Sequence, residues 1–489
     1  MKFDLKTSEI SKISADALIL PYYADKGLTQ AGKKVNSQAG DALSNLIENS
    51  PVRSDAGQYL LLNSPNGVAA KSIILISVGN ADELTADKFR LALKTALVNL
   101  SQLQLEHIAI AFDIKVKGCQ AGGVVQHALE SIHHAAYRFD HYKSQKHDSF
   151  KRVTVVADSK QKISTDVKYM QALCDGMTLT KDLANSPANV CTPTYLANEA
   201  KKLAKTYSNL KVNVIEEAEM KKLGMGALLS VSQGSDEPAK LIIVQYQGAA
   251  KSQAPVALVG KGVTFDTGGN CIKPAGSMVG MKYDMTGAAT VLGTIKAAAE
   301  QGLRKNIVGV IAATENMING KASRPEDIVT TMSGQTVEII NTDAEGRLIL
   351  CDALTYVERF KPKAVINLAT LTGAMVITLG NVASGIFTNN QQLANALLKA
   401  SEKTRSKLWQ LPLWDEYQSD IDSPFADMAN VGNGRGGGSI HAACFLSRFT
   451  KNYPWVHIDM SSGAIHDGVA RRYATGHPIP ALLAFLNGK

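Results

Sequence analysis

Residues 255–269 read Pro-Val-Ala-Leu-Val-Gly-Lys-Gly-Val-Thr-Phe-Asp-Thr-Gly-Gly, and this stretch decides the fold class. Its first part is apolar almost throughout, as is the later stretch Ile-Val-Gly-Val-Ile at residues 307–311. Strands of this kind are buried on both faces, which indicates an α/β fold with a mainly parallel (mixed) sheet flanked by helices. Such sheets bind ligands beyond the carboxyl ends of their strands, so the polar residues that follow each strand are the candidates for function.

Acidic residues occur at three such junctions. They are Asp266 within residues 260–269, Asp284 within residues 281–285, and Asp343 and Glu345 within residues 341–347. Four carboxylates gathered in one pocket cannot all stay ionised without compensation, and two divalent cations would supply four positive charges. Oxygen ligands suit Mg, Mn or Zn. The chain has no histidine between His147 and His441, so a His-Glu-x-x-His zinc motif is excluded there.

Each of these segments has a simpler explanation when it is taken alone. An aspartate before a helix, such as Asp284, is commonly a helix cap. A lysine such as Lys261 is commonly a surface or salt-bridge residue, because lysine binds a metal only after losing its proton. Asp343 and Glu345 lie two residues apart, about 6–7 Å along an extended chain, and can straddle two cations about 3.5–4 Å apart. The residues alone leave both interpretations open.

The 489 residues are enough for two domains, and 45% apolar with 20% charged residues describe a globular chain. Alternating strand and helix patterns predict a small α/β domain over residues 1–165, without acids, histidines or cysteines at metal-ligand spacing. A larger catalytic domain over residues 166–489 holds the acidic segments. The predicted elements include strands at 17–22, 59–63, 255–265 and 364–369, and helices at 88–103, 170–187, 287–301 and 345–359.

Charged residues among the first six argue against a secretory signal, and six scattered cysteines suit a reducing compartment, so we expect a cytoplasmic protein. The uncharged run 364–398 contains asparagine and glycine and predicts strands and loops rather than a membrane span. The net charge is +8; residues 1–165 carry 20 Lys and Arg against 16 Asp and Glu, a net +4, which leaves +4 for the rest. This thin spread permits nucleic-acid binding without supporting it.

Taken together, these segments are similar to one known family. Residues 255–375 closely resemble the leucyl aminopeptidase (cytosol aminopeptidase) family of two-metal exopeptidases, and residues 341–348, Asn-Thr-Asp-Ala-Glu-Gly-Arg-Leu, match its signature octapeptide. The resemblance spans about residues 175 to 485 and is weak over residues 1–165. Its further motifs lie at Lys181–Asn189, Glu315–Met317, Ala369–Ala374, Gly436–Gly438 and Ala474–Gly476.

The resemblance implies a role for each charged residue of these segments. Asp266 and Glu345 would bridge two divalent metal ions (Mn, Zn or Mg), and Lys261 would bind the more exchangeable ion as a neutral amine. The full ligand set would be Lys261, Asp266, Asp284, Asp343 and Glu345. The catalytic pair would be Lys273 and Arg347. A bicarbonate ion would bind Ala344, Gly346, Arg347 and Leu371.

The resemblance also implies the reaction. A water bridging the two ions would attack the first peptide bond of a substrate with a free amino terminus, while Lys273 stabilises the oxyanion and the bicarbonate held by Arg347 acts as general base. Leucine and other apolar residues would be preferred. The pocket would be lined by Met281, Asn341, Thr370, Leu371 and Gly373, although ordinary sheet-edge packing explains the last three equally well. The family forms homohexamers, as dimers of trimers.

The chain departs from the family pattern at a few positions that leave the ligands and the catalytic pair intact. They are Asn270 and Cys271, where an aliphatic residue and serine are usual, Thr286 and Glu326, where glycine is usual, and His477, where arginine is frequent. These changes bear on substrate and metal preference. Two competing functions remain: a DNA-binding accessory role, which some bacterial members of the family have, and a two-metal phosphoesterase, which would not explain Lys261.

Overall fold

The computed structural model describes residues 1–51, 55–146, 150–157, 160–434, 436–468 and 471–488. These residues form two compact units, Met1–Cys174 and Asp175–Lys489. Each unit contains its own sheet and is described separately below. A domain boundary after residue 165 stays a prediction.

The first unit is built on a seven-stranded sheet. In spatial order it runs β1-β7-β6-β2-β5-β4, with β3 paired to β2, and every neighbouring pair from β1 to β5 in this order is parallel. Its strands are β1 (Lys2–Lys6), β2 (Ala17–Tyr23), β3 (Gly27–Leu28), β4 (Tyr59–Asn63), β5 (Ser72–Ser77), β6 (His107–Ile110) and β7 (Arg152–Val156).

Helices cover this first sheet. Thr29 and Thr85 begin two of them as side-chain caps, accepting hydrogen bonds from Gly32 N and Lys88 N. A fifth helix starts in this unit and continues into the second one. The five are α1 (Gln30–Gln38), α2 (Ala42–Glu48), α3 (Ala86–Leu100), α4 (Ala121–Ala136) and α5 (Lys160–Asn185).

The second unit contains an eight-stranded mixed sheet in the order β16-β15-β18-β14-β10-β11-β9-β8. Its four central strands, β18, β14, β10 and β11, are parallel, whereas β9 and β15 run antiparallel to their central neighbours. The strands of this sheet are β8 (Leu210–Glu216), β9 (Lys240–Gln247), β10 (Val256–Asp266), β11 (Asn306–Asn316), β14 (Ala364–Ala369), β15 (Ser384–Thr388), β16 (Leu408–Gln410) and β18 (Trp455–Asp459).

In its described residues, this unit also has two smaller sheets and ten α-helices. The small sheets are β12-β13-β17 and β19-β20, formed by β12 (Asp327–Thr330), β13 (Thr336–Ile339), β17 (Met428–Ala429), β19 (Ile465–Gly468) and β20 (Arg471–Ala474). The helices are α6 (Pro193–Thr206), α7 (Glu217–Lys222), α8 (Gly226–Ser232), α9 (Ala275–Met278), α10 (Thr286–Gln301), α11 (Glu345–Val357), α12 (Gly373–Leu379), α13 (Gln391–Thr404), α14 (Gly438–Ser447) and α15 (Ile479–Leu486).

Strand β10 shows why its sequence is apolar on both faces. Val256 and Leu258 pack into a core with residues of α10, whereas Ala257 and Val259 pack into a second core with residues of α8 and α11. Successive side chains of a strand point to opposite faces, so a strand between two helical layers needs an apolar residue at every position. The predicted mainly parallel, mixed sheet flanked by helices is therefore confirmed. Among the described residues, every helix is too short or too polar to cross a membrane.

Candidate active site

Three acidic side chains converge at the carboxyl end of β10. Asp266, Asp343 and Glu345 each offer a carboxylate oxygen, and these oxygens all lie within 4.8 Å of one another. Asp266 ends β10, Asp343 lies in the loop after β13, and Glu345 begins α11. In the part of the chain that the structure describes, this is the one group of three or more such side chains with metal-ligand spacing.

An irregularity in β10 directs Asp266 into this group. The pairing of β10 with β11 shifts register between Val263 and Asp266, so that Asp266 lies opposite Asn316. Bulges of this kind are frequent beside active sites, where they redirect a side chain. Asp266 Oδ1 accepts hydrogen bonds from Asn316 Nδ2 and Gly268 N, both at 2.8 Å.

Lys261 lies buried at the centre of the acidic cluster. Its Nζ lies 2.7 Å from Asp284 Oδ2 and 2.7 Å from Glu345 Oε1, and it donates to the carbonyl of Thr370 at 3.0 Å. The local sequence makes room for this side chain, because a Cβ on Gly346 would stand only 2.7 Å from Lys261 Nζ. Glycine at position 346 is therefore a packing requirement of the buried lysine.

Lys273 approaches the cluster from the loop that follows β10. Its Nζ lies 2.8 Å from Asp266 Oδ2 and also contacts Asp343 Oδ1. Together the two lysines contact all four carboxylates that the sequence indicated. The structure therefore brings Lys261, Asp266, Lys273, Asp284, Asp343 and Glu345 into one place.

The electrostatics of the cluster are those of a crowded, buried set of charges. Burial and the neighbouring Glu345 raise the pKa of Asp266 to about 6, and burial also raises the pKa of Asp284 and Asp343. Burial opposes ionisation of Glu345 as well, but the ammonium groups of Lys261 and Lys273 outweigh it and lower the pKa of Glu345. For both lysines, burial is outweighed by the carboxylates, which raise their pKa above the ordinary value.

The donor set fits divalent cations. Within the described part of the chain, Asp284 Oδ2 and Asp343 Oδ1 are buried oxygens that accept no aligned hydrogen bond, although a lysine ammonium lies close to each. Buried oxygens of this kind are costly unless a cation compensates them. Four carboxylates and one amine form a donor set that suits Mg, Mn or Zn. The chemistry of the residues therefore agrees with a metal site.

Arg347 lies on the first turn of α11 and is buried. Its Nη1 donates to the carbonyl of Asn430 at 2.8 Å, whereas its Nε is a buried donor without a hydrogen-bond partner among the residues that the structure describes. Burial lowers the pKa of Arg347 to about 10. Ala344 precedes this helix and Gly346 lies in its first turn. A buried donor at a helix amino terminus is suited to a small anion.

Two of the five expected pocket residues contact the acidic residues directly. Thr370 Oγ1 donates to Asp284 Oδ1 at 2.8 Å, and Asn341 Oδ1 accepts from Asp343 N at 2.8 Å, so both contact the acidic residues directly. Leu371 N donates to Asp459 Oδ1 at 3.2 Å. Met281 begins a short 3-10 helix over Met281–Met285, and Gly373 begins α12 with open space beside it.

Sequence reasoning missed several buried polar residues that hold these segments. Thr342 Oγ1 donates to the carbonyl of Gly268 at 2.6 Å, and Asn430 Nδ2 donates to the carbonyl of Asn341 at 2.6 Å. Asp459 accepts from Leu371 N and from Thr372 Oγ1. Asn316 lies in the family motif Glu315–Met317. For Asp459, the only signal in the sequence was its position at the end of an apolar strand.

The departures from the family pattern have local structural partners. Asn270 Nδ2 donates to the carbonyl of Ser323 at 2.8 Å, and Thr286 Oγ1 donates to the carbonyl of Tyr283. The ring nitrogens of His477 contact Ser384 Oγ at 2.8 Å and Ser406 Oγ at 2.7 Å. Glu326 has a φ of 73°, a left-handed backbone that glycine adopts without strain.

Comparison with known proteins gives matches along nearly the whole chain. The catalytic domain of the cytosol aminopeptidase family matches residues 178–483, and the N-terminal domain of the same family matches residues 19–146. The likeness thus extends into the first 165 residues, further than the motifs indicated.

Individual relatives agree with this result. The cytosol aminopeptidase of Pseudomonas aeruginosa is 46% identical over 491 residues, covering 99% of each chain. Probable cytosol aminopeptidases of Stutzerimonas stutzeri, 45% identical over 99% of each chain, and of Azoarcus sp., 46% identical over 100% of this chain and 99% of the relative, are similar in the same way. The chain therefore belongs to the cytosol aminopeptidase family and is a metal-dependent aminopeptidase.

Proposed function

We propose that the chain removes amino-terminal residues from peptides, with leucine and other apolar residues preferred, by means of two divalent cations and a bicarbonate ion. The observation that carries this proposal is the convergence of four carboxylates and two lysines at one strand end in a chain of this family. Manganese, zinc and magnesium all suit the oxygen-rich donor set.

The proposed ligands are Lys261, Asp266, Asp284, Asp343 and Glu345. Divalent cations held here would supply Lewis-acid chemistry, polarising a peptide carbonyl and lowering the pKa of an attacking water. Lys261 can bind a metal only as a neutral amine. Without cations, the neighbouring carboxylates raise its pKa, so this pKa has to fall when divalent cations compensate the carboxylate charges. Its burial favours this change, because burial opposes the charged form.

Lys273 is proposed to stabilise the oxyanion that forms at the scissile carbonyl. It is less deeply buried than Lys261, and its Nζ lies at the edge of the acidic group, 2.8 Å from Asp266 Oδ2. In a site of low dielectric, a fixed ammonium stabilises the transition state most strongly when it lies where negative charge develops. An ordinary lysine pKa of about 10.4 is enough to keep this less buried ammonium charged at neutral pH.

Arg347 is proposed to hold the bicarbonate, with the backbone of Ala344, Gly346 and Leu371. The buried Nε of Arg347 has no partner within the described chain, so a donor is available for a planar anion. Held by these residues, a bicarbonate would supply a general base for the attacking water. The substrate side chain would lie against Met281, Asn341, Thr370, Leu371 and Gly373, and the open space beside Gly373 leaves room for such a side chain.

We further propose that the chain works in the cytoplasm as a homohexamer, a dimer of trimers. Support for assembly comes from large apolar side chains that the second unit exposes, among them Ile377 (89% exposed), Phe425 (74%) and Trp409 (64%). Exposed apolar side chains mark an interface between subunits when they form one contiguous patch, so this support depends on these residues lying on a common face.

The sharpest test replaces one ligand and one matched aspartate. Asp343→Ala removes a carboxylate from the group of three, and we expect hydrolysis of leucine amide to fall by at least about 10³-fold, because an incomplete donor set loses the cations. Asp236→Ala, at an exposed aspartate of the same unit, is expected to leave the rate unchanged. Metal content is measured on both proteins by mass spectrometry.

Retention of the wild-type rate and metal content by Asp343→Ala would contradict the proposal. A phosphomonoester assayed beside the leucine amide separates the peptidase from a two-metal phosphoesterase, since only the peptidase is expected to leave the phosphate ester intact.

A further inference from the structure

The family motif Glu315–Met317 has no part in the chemistry proposed above, yet it lies beside the acidic site. Asn316 is the last residue of β11 and is 4% exposed. Its register partner on the neighbouring parallel strand is Asp266, directly after the shift that redirects this aspartate. A buried amide in this position has to find partners for both of its hydrogens.

Those partners lie on two different segments of the site. Asn316 Nδ2 donates to Asp266 Oδ1 at 2.8 Å and to the carbonyl oxygen of Thr342 at 3.0 Å. A primary amide nitrogen carries two hydrogens, so these two bonds use its donor capacity in full. One bond fixes an acid at the end of β10, and the other fixes the residue immediately before Asp343.

The hydrogen bond from Asn316 gives the two carboxylate oxygens of Asp266 different roles. Oδ1 accepts from Asn316 Nδ2 and from Gly268 N, both at 2.8 Å, so it is occupied by donors of the protein. Oδ2 lies 2.8 Å from Lys273 Nζ, within the acidic cluster. Asp266 therefore presents Oδ2 to the site, while Oδ1 serves to fix the carboxylate plane.

The second bond is part of a cross-link between loops. Thr342 Oγ1 donates to the carbonyl of Gly268 at 2.6 Å and accepts from Cys271 N at 2.8 Å. Its carbonyl is the acceptor of Asn316. The chain on either side of Asp266 and the loop that carries Asp343 are thus joined through Thr342 and Asn316.

We propose that Asn316 is a positioning residue of the metal site, which holds Asp266 and the Asp343 loop so that Asp266 offers Oδ2 alone to the cations. This inference rests on the proposed function, because it needs Asp266 and Asp343 to be ligands. Partners that orient a ligand from outside typically contribute 10- to 100-fold in metal affinity. A merely structural asparagine would instead affect the stability of the fold and leave the metal affinity of the folded protein unchanged.

The test uses two asparagines of the same strand. Asn316→Leu keeps a side chain of similar size and removes both donors. Asn306→Leu is the matched control, because the amide of Asn306, at the other end of β11, likewise donates two hydrogen bonds, here to the carbonyls of Ala250 and Gln253, each at 2.8 Å. Mn²⁺ is titrated by calorimetry into the full-length proteins after treatment with a chelator, and thermal unfolding is recorded without Mn²⁺.

We expect Asn316→Leu to bind Mn²⁺ about 10- to 100-fold more weakly than the wild type, and Asn306→Leu to match the wild type. A folded Asn316→Leu protein with wild-type Mn²⁺ affinity would overturn the inference and leave the proposed function standing. If Asn316→Leu does not fold, Asn316→Ser, which keeps a single donor, is expected to bind Mn²⁺ more weakly than the wild type. Wild-type Mn²⁺ affinity of Asn316→Ser would likewise overturn the inference. A wild-type protein that binds none of Mn²⁺, Zn²⁺ and Mg²⁺ in the same titration would overturn the proposed function, and the inference with it.

Discussion

Both sheets of this chain contain parallel strands, but the residues at the carboxyl ends of these strands differ in chemistry between the two sheets. In the first unit, β6 and β7 end at a cleft of about 640 Å³, whose floor includes Ile110, Val125 and Val156. In the second unit, β10 ends among four carboxylates and two lysines. Topology creates a crevice in both sheets. The residues placed in the crevice decide whether it can hold cations, so the fold alone does not determine function.

Replacing the lysine at each crevice tests this difference most strongly. Lys273→Ala removes the ammonium proposed to stabilise the oxyanion, and we expect kcat for leucine amide to fall about 10³-fold, equivalent to about 4 kcal/mol, with little change in metal content. Lys34 lines the cleft of the first unit, and Lys34→Ala is expected to leave kcat unchanged. Steady-state kinetics of both variants check this. Equal losses in the two variants, or none in Lys273→Ala, would remove the distinction between the crevices.

Asp352 of α11 represents a second kind of buried acid, one held by backbone groups away from the cluster. Its carboxylate oxygens accept from Leu228 N at 2.8 Å and Met332 N at 2.7 Å, and burial raises its pKa to about 7. The folded chain therefore holds this proton more tightly than the unfolded chain, where the pKa is 3.8. Stability from this group is present at low pH and is lost as the pH rises from about 4 to about 7, by roughly 3 kcal/mol.

The measurement is the urea midpoint of unfolding across that pH range. Asp352→Asn cannot titrate, so the wild type should lose stability relative to this variant as the pH rises, while hydrolysis of leucine amide stays within a few-fold of wild type at pH 7. A difference between the two proteins that does not change with pH would show that Asp352 is ionised in the folded chain throughout.

Much of the fold follows from local sequence pattern, and the exceptions have physical reasons. The strands Tyr59–Asn63 and Ala364–Ala369 begin and end where the apolar pattern predicts. The strand Lys2–Lys6 was not predicted, because it lies at the sheet edge and carries charged residues that resemble a loop. The helix expected at 170–187 spans Lys160–Asn185; its first turns carry only two apolar residues, Ile163 and Val167, among polar ones, so the predicted start fell too late.

The residues of the candidate site also differ in whether the sequence could identify them. Acids at strand ends carry a charge that has to be compensated, so Asp266 could be singled out from the sequence, whereas Lys261 was indicated only by the family resemblance. Asn316 and Thr342 are uncharged, and their partners come from distant parts of the chain, so their hydrogen bonds could be found only in the folded structure. Asp459 is charged but ends an apolar strand outside the three acidic segments, so its contact with Leu371 was equally hidden.

The smallest expected effect concerns a loop of the second unit outside the acidic cluster. Glu326 is exposed and holds a left-handed φ of 73°, which costs an ordinary residue about 1–2 kcal/mol, whereas glycine pays about 0.5–1 kcal/mol in lost chain entropy. Glu326→Gly should therefore raise the free energy of unfolding by about 0.5–1 kcal/mol, measured in urea, with unchanged hydrolysis of leucine amide. Glu326→Ala removes the same carboxylate but keeps a Cβ, and should give no gain. Equal stabilisation by both variants would assign the effect to the charge of Glu326 instead of its backbone, and a change in activity would tie this loop to the site.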